Sequence, residues 1–316
     1  MVSLNDVKNA HIEIQDSIHE TSILKSELLN EQSGNQVYLK SEHLQKTGSF
    51  KIRGATNAVK KAVQNGARFV TAASSGNHGQ AVASIANELG VPCIIVVPED
   101  ANAAKVAAIK AYKGQVEYCG LISADRIPRA KQLAEENEGI FIPPYDHPHV
   151  IAGQGTIGLE VMEQVPDVDI IVVPVGGGGL ISGILTAVKN SKPHVKVIGV
   201  EPEAANDTYL SLKNKQITSI DSAPTVADGL RTSQPGDLTF PILQEHLDDL
   251  LLVTEKQIKE AFQFTVERTK QLIEPSSAAA VAAVLSGELQ GAQQKIAVVL
   301  SGGNVDLRQV QEFMPD

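Results

Sequence analysis

Asp169-Ile170-Ile171-Val172-Val173-Pro174-Val175, then Gly176-Gly177-Gly178-Gly179, then Leu180-Ile181-Ser182-Gly183 is the clearest strand–turn–helix signal in this chain of 316 residues. The first segment has the length and β-branched composition of a strand buried on both faces. The last opens an apolar helix. Between them, four residues without Cβ let successive backbone N–H groups converge on one anion, with a helix N-terminus behind them. This predicts a phosphate cradle. It is not a Walker A loop, because no Gly-Lys-Ser/Thr follows. A strict G-x-G-x-x-G also fails, since its third glycine would fall on Ile181 or Ser182.

The same unit recurs on either side. Ser301-Gly302-Gly303-Asn304 ends the strand-like Ile296–Leu300, and Ser74-Ser75-Gly76-Asn77-His78-Gly79 ends Phe69–Ala72. Further strands are expected at Val37–Lys40, Cys93–Val97, Val116–Cys119, Ile140–Ile142 and Val195–Val200. Helices are expected from Ser3 to about Ile18, from Ser49 to Gly66, and over Gly79–Leu89, Ala103–Tyr112 and Ser123–Asn137. Strand–helix alternation of this kind demands crossover connections and parallel sheets covered on both faces. The chain therefore reads as α/β, with two parallel-sheet lobes. Residues 69–145 form a small lobe inserted into a larger one built from 1–68 and 146–316. Ligands in such sheets sit at the carboxyl ends of strands, where all three glycine clusters lie. They should converge on a cleft between the lobes.

Composition narrows the function. The formal charge of −10 makes a nucleic-acid partner unexpected. Apolar runs such as Ile94–Val97 fall far short of the ~20 residues that span a bilayer. Met1–Asp6 lacks a basic or apolar leader, so no signal peptide and a cytoplasmic location are expected. Cys93 and Cys119 are too few for a disulfide framework and read as small core residues. Twenty-five glycines against 4% aromatics and no Trp are the unusual feature: backbone is used where side chains usually are. Among possible metal clusters, Asp146, His147 and His149 sit in a proline-punctuated turn and read as structural.

Lys51 stands in Lys46-Thr47-Gly48-Ser49-Phe50-Lys51-Ile52-Arg53-Gly54-Ala55, in the first turn of a helix. A cation there opposes the helix dipole, which lowers an amine's pKa, as a Schiff-base lysine requires. An aldehyde cofactor carrying a phosphate joins this lysine to the cradle at 176–179, and pyridoxal phosphate is that cofactor. A nucleotide-binding oxidoreductase is the competing class, weakened by the failed fingerprint spacing.

Ser49–Ala55, the loop at 74–79, Ala152-Gly153-Gln154-Gly155-Thr156, the glycine tetrad and Ser301–Asn304 together resemble the serine/threonine dehydratase and serine racemase family. That family belongs to the fold-type II, tryptophan-synthase-β-like pyridoxal-phosphate enzymes. The resemblance implies that Lys51 carries the cofactor and removes the substrate's Cα proton, and that Gly176, Gly177, Gly178 and Gly179 bind its phosphate. It places Phe50 on one face of the ring, Asn77 at the phenolic oxygen and Ser301 at the pyridine nitrogen. Ser74, Ser75, Gly76, Asn77 and His78 should bind the substrate carboxylate, with Arg126 and Thr232 elsewhere in the pocket. Ser75 matches the racemases' proton donor on the face opposite the lysine, whereas Pro143-Pro144-Tyr145-Asp146 resembles the dehydratases.

The activity implied is serine racemisation combined with ammonia-lyase action on L-serine or L-threonine. A threo-3-hydroxyaspartate ammonia-lyase or aspartate racemase is the near alternative. Glu201, the Ala205 carbonyl and Asp207 match the family's ligands for Mg²⁺ or Ca²⁺. A homodimer, and ATP as an effector near Gln80, complete what the family suggests.

Overall fold

The computed structural model describes residues 1–289, 291 and 293–315. The chain runs α1 (Leu4–Ile14), β1 (Ile23–Lys25), α2 (Glu27–Ser33), β2 (Gln36–Lys40) and α3 (Lys51–Gln64). It continues through β3 (Val70–Ala73), α4 (Asn77–Glu88), β4 (Cys93–Val97), α5 (Ala103–Ala111), β5 (Gln115–Tyr118), α6 (Ser123–Glu136) and β6 (Ile140–Phe141). Then come α7 (Pro148–Gln164), β7 (Ile170–Pro174), α8 (Gly179–Lys189), β8 (Lys196–Pro202), α9 (Asp207–Asn214) and α10 (Thr239–His246). The last elements are β9 (Asp249–Val253), α11 (Glu255–Phe264), α12 (Pro275–Leu285) and β10 (Lys295–Val299).

Two sheets result. The larger has the order β1-β2-β10-β7-β8-β9 and is parallel except for β1, which runs antiparallel to β2. The smaller, β5-β4-β3-β6, is parallel throughout. Strand alternation is visible in the packing: Ile170 and Val172 enter one core, while Ile171 and Val173 enter the core on the opposite face. Both faces of the large sheet are thus covered, as the uninterrupted apolar run predicted. The small sheet has its own core around Val70, Ala72, Ile95 and Val97, and Ile52, Ala55 and Val59 of α3 pack into it. Cys93 is buried there, while Cys119 is half-buried; both are free thiols.

Topology now positions the site. β10 and β7 are parallel neighbours, so Ser301 and Gly176 emerge at the same edge of the large sheet. β3 and β6 are likewise parallel neighbours, which brings Ser74 and Pro143 to one edge of the small sheet. α3 is stitched to the first edge, because Phe50 N donates to Ser301 O at 2.9 Å and Ser49 bridges Gly302.

A buried ionic network holds the base of α3. Arg53 pairs with Glu42 at 2.8 Å and Glu160 at 2.6 Å, and Lys40 pairs with Glu160 at 2.5 Å. Two cations and two carboxylates balance, so no buried charge is left uncompensated. The network ties β2, α3 and α7 together two residues beyond Lys51.

Candidate active site

A cleft of about 660 Å³ opens between the two sheets. Phe50, Lys51, Ser74 to His78, Arg126, Gly176 to Gly179, Thr232 and Ser301 all line it. The three glycine clusters therefore converge as their places at strand ends required. Of the site residues expected from the sequence, only Glu201, Ala205 and Asp207 lie elsewhere.

The tetrad forms the turn from β7 into α8. Gly178 adopts φ +88°, a conformation that side-chain-bearing residues rarely tolerate. Gly177 and Gly179 are required by close approach. A Cβ on Gly177 would lie 2.5 Å from the Tyr145 ring, and one on Gly179 would lie 2.9 Å from the Tyr145 Cα. Thr239 Oγ1 donates to Gly177 O at 2.8 Å and holds the turn open. The first amides of α8 have no intrahelical acceptor and, with the helix dipole behind them, would suit an anion.

Lys51 opens α3 and is half-buried in the cleft wall. Its Nζ donates to Pro144 O at 2.7 Å and lies 5.1 Å from the centre of the Phe50 ring. Burial lowers its pKa from 10.5 to about 8, with the negative charge of Glu274 acting in the opposite direction. The direction agrees with the helix-dipole argument, but desolvation is the dominant cause. An amine with a pKa near 8 can serve as a nucleophile and a proton acceptor near neutral pH.

Ser74 to Gly76 lead into α4, whose N-terminus faces the cleft. Its first-turn amides, including those of Asn77 and His78, are the natural donors to a carboxylate. His78 is buried, and its ring Nε2 meets Ile142 O at 2.8 Å. A carbonyl only accepts, so Nε2 carries the proton. Burial and the Lys51 charge push the His78 pKa down to about 3, which keeps the ring neutral. Ser301 Oγ sits 3.1 Å from Ser277 Oγ, a neutral environment with no carboxylate partner among the described residues.

Several residues at the cleft were not read from the sequence. Glu274 immediately precedes α12, and its carboxylate accepts from Asn77 Nδ2 at 2.9 and 3.0 Å. Burial raises its pKa to about 7, with Asp228 adding to the rise. The Ile273-Glu274-Pro275 sequence looks like an ordinary helix start, although Glu274 makes no capping bond. Lys105 of α5 pairs with Asp228 across the cleft.

Arg126 Nη1 donates to Leu121 O at 2.9 Å and Nη2 to Ser123 Oγ at 3.1 Å, while its buried Nε has no partner. Thr232 Oγ1 lies 3.2 Å from Asp207 Oδ2. Through this contact the cleft wall touches the separate acidic pair. Glu201 and Asp207 are both wholly buried. Glu201 accepts from the backbone N–H groups of Thr208 and Tyr209 at 3.0 and 2.9 Å. Burial raises its pKa to about 8, helped by Asp207, and burial raises that of Asp207 to about 7. Neither has a cationic side chain within ion-pair distance among the described residues, so a bound cation would fit the chemistry of the pair. His147 and His149 stack edge to face at 5.4 Å, and no group of three ligating side chains forms among the described residues.

Comparison with known proteins agrees with this geometry. Human serine racemase is 48% identical over 314 residues, covering 97% of this chain and 92% of its own. The L-threo-3-hydroxyaspartate ammonia-lyase of Saccharomyces cerevisiae is 42% identical, covering 96% of this chain and 93% of its own. The structure of the processed form of threonine deaminase isoform 2 from Solanum lycopersicum superposes with a TM-score of 0.91 at 32% identity, covering 98% of this chain and 87% of its own. The family model described as pyridoxal-phosphate dependent enzyme matches residues 14–302. With a half-buried amine facing a glycine turn at a helix N-terminus, and that match over most of its length, the chain belongs to the pyridoxal-phosphate dependent enzymes.

Proposed function

We propose that this enzyme racemises serine and also eliminates water from L-serine or L-threonine, the resulting enamine taking up water again to release ammonia and give pyruvate or 2-oxobutanoate. The observation that carries the reading is Lys51, a half-buried amine with a pKa lowered to about 8, sharing one cleft with the Ser75 hydroxyl. Bound pyridoxal phosphate supplies an aldehyde for amines and a ring that delocalises charge left at Cα.

The protein's residues do the rest. Backbone amides of Gly176 to Gly179 would bind the phosphate, Phe50 would cover one ring face and Asn77 would donate to the phenolic oxygen. Ser301 would meet the pyridine nitrogen with a neutral hydroxyl rather than a carboxylate. Amides at 74–78 hold the substrate carboxylate. Lys51 Nζ takes the Cα proton, and Ser75 Oγ returns one on the other face.

A second reading has its own support. The unpartnered Nε of Arg126 lies at the cleft, and a substrate with a second carboxylate would satisfy it, as in threo-3-hydroxyaspartate. Turnover of L-serine, L-threonine and L-threo-3-hydroxyaspartate by the cofactor-loaded enzyme decides between them. The primary reading predicts the highest kcat/KM for serine or threonine. A hydroxyaspartate preference that Arg126→Ala abolishes would replace it.

Glu201, the Ala205 carbonyl and Asp207 are assigned to Mg²⁺ or Ca²⁺. A divalent ion would stabilise the ionised form of both buried carboxylates. At ion concentrations about a hundredfold above Kd, binding to the folded state alone adds about 2.7 kcal/mol, or roughly 5 °C in Tm. Chelation should lower Tm by that amount, Mg²⁺ or Ca²⁺ should restore it, and Asp207→Asn should abolish the response. An unchanged Tm on chelation removes the assignment. A homodimer, activation by ATP near Gln80 and a cytoplasmic location belong to the same proposal. Among the described residues no helix is long and apolar enough to cross a membrane.

A further inference from the structure

We propose that Glu274 is a positioning residue which, together with Asn304, fixes the Asn77 side-chain amide so that a free N–H of it faces the cleft. This rests on the assignment of Asn77 to the cofactor's phenolic oxygen. The polarity of the arrangement follows from a chain of contacts with an unambiguous start. Asn304 Nδ2 donates to Thr47 O at 2.8 Å. A backbone carbonyl only accepts, so Asn304 must present its amide nitrogen there. The same nitrogen lies 2.8 Å from Asn77 Oδ1, so Asn77 must face it with oxygen.

The Asn77 nitrogen is thereby turned the other way, 2.9 and 3.0 Å from the two carboxylate oxygens of Glu274. One of its two protons is held by that carboxylate, and the second remains for the cleft that Asn77 lines. Glu274 is itself fixed, because its backbone N–H donates to Gly302 O at 3.0 Å. A Cβ on Gly302 would come within 2.8 Å of Glu274 Oε1, so the glycine makes the room the carboxylate occupies. The side chain is buried, and no cation lies within ion-pair distance of it among the described residues. A buried acid that neither caps its helix nor pairs with a base is costly; holding Asn77 accounts for it.

The test is a double-mutant cycle on the cofactor-loaded enzyme, reading pyridoxal phosphate affinity and the visible absorbance maximum of the bound cofactor. Loss of one hydrogen bond of this kind weakens binding about tenfold. Asn77→Ala should show that loss with a shifted band, and Glu274→Met should follow it in both readouts. The double variant should be no weaker than Asn77→Ala alone. Glu274→Gln should restore both readouts, since its carbonyl accepts from Asn77 as the carboxylate does. Unchanged affinity and band in Glu274→Met would overturn the proposal, as would losses that multiply or a Gln variant as poor as Met. Should Glu274→Met not fold, Asn304→Ala removes the other anchor: the same band shift supports the proposal and an unshifted band overturns it. If Asn77→Ala itself binds the cofactor normally, the assignment of Asn77 fails and the proposal with it, while the serine chemistry stands or falls on the substrate assays.

Discussion

Lys51→Met is expected to lower both racemisation and elimination by about 10⁴-fold or more, because in the proposed mechanism one group is both covalent anchor and general base. It should also abolish the mass increment left on the wild-type protein by borohydride reduction. The same substitution should not harm the cofactor-free fold. Folded Lys51 has a pKa of about 8 against 10.5 for an ordinary lysine, so the unfolded chain binds more protons between those values. Stability of the cofactor-free wild type therefore rises with pH across that window, and the full penalty, on the order of 3 kcal/mol, applies below pH 8. Methionine carries no such penalty, although it gives up the bond to Pro144 O. The cofactor-free variant should be at least as stable as wild type below pH 8, with its advantage fading towards pH 10.5. Thermal unfolding across that range checks the sign. A variant that retains serine turnover would remove Lys51 from the chemistry.

Ser75→Ala is expected to separate the two activities. If Ser75 returns the proton on the face away from Lys51, its loss lowers D-serine formation by about 10²- to 10⁴-fold while pyruvate formation changes by about threefold or less. Elimination needs proton removal by Lys51 alone, followed by departure of the β-hydroxyl. Measuring both products from the same incubation makes the partition visible. Equal loss of both would place Ser75 in substrate binding rather than proton transfer. Because Ser75 lies in the turn that leads into α4, retention of normal KM for elimination also shows that the carboxylate-binding amides are undisturbed.

The parts of this site legible in the sequence are those written as contiguous backbone features. The tetrad, the loop at 74–79 and Ser301–Asn304 each follow an apolar strand, so pattern alone places them at sheet edges. The strand expected at Cys93–Val97 has those bounds in the fold, and most others shift by one or two residues. The capping box at Ser3 and Asp6 is present, but α1 ends at Ile14 rather than near Ile18. β1 is invisible to pattern because three residues on an antiparallel edge carry no period. β9, Asp249–Val253, is leucine-rich and lacks the β-branched signature. What cannot be read depends on partners far apart in the chain. Glu274 meets Asn77 across 197 positions, Thr232 reaches Asp207, and Arg53 is neutralised by Glu42 and Glu160. Each is an ordinary polar residue until the fold supplies its neighbour. The glycine excess, by contrast, is informative in the sequence itself because its cause at Gly177 and Gly179 is steric: backbone must approach Tyr145 where no Cβ fits.

The most direct test of the account is incubation of the wild-type, cofactor-loaded enzyme with L-serine in deuterated water, following pyruvate and D-serine together. The account predicts both products, with the D-serine carrying deuterium at Cα because the returned proton comes from a solvent-exchanging hydroxyl. Absence of both products from enzyme shown to hold its cofactor would contradict it.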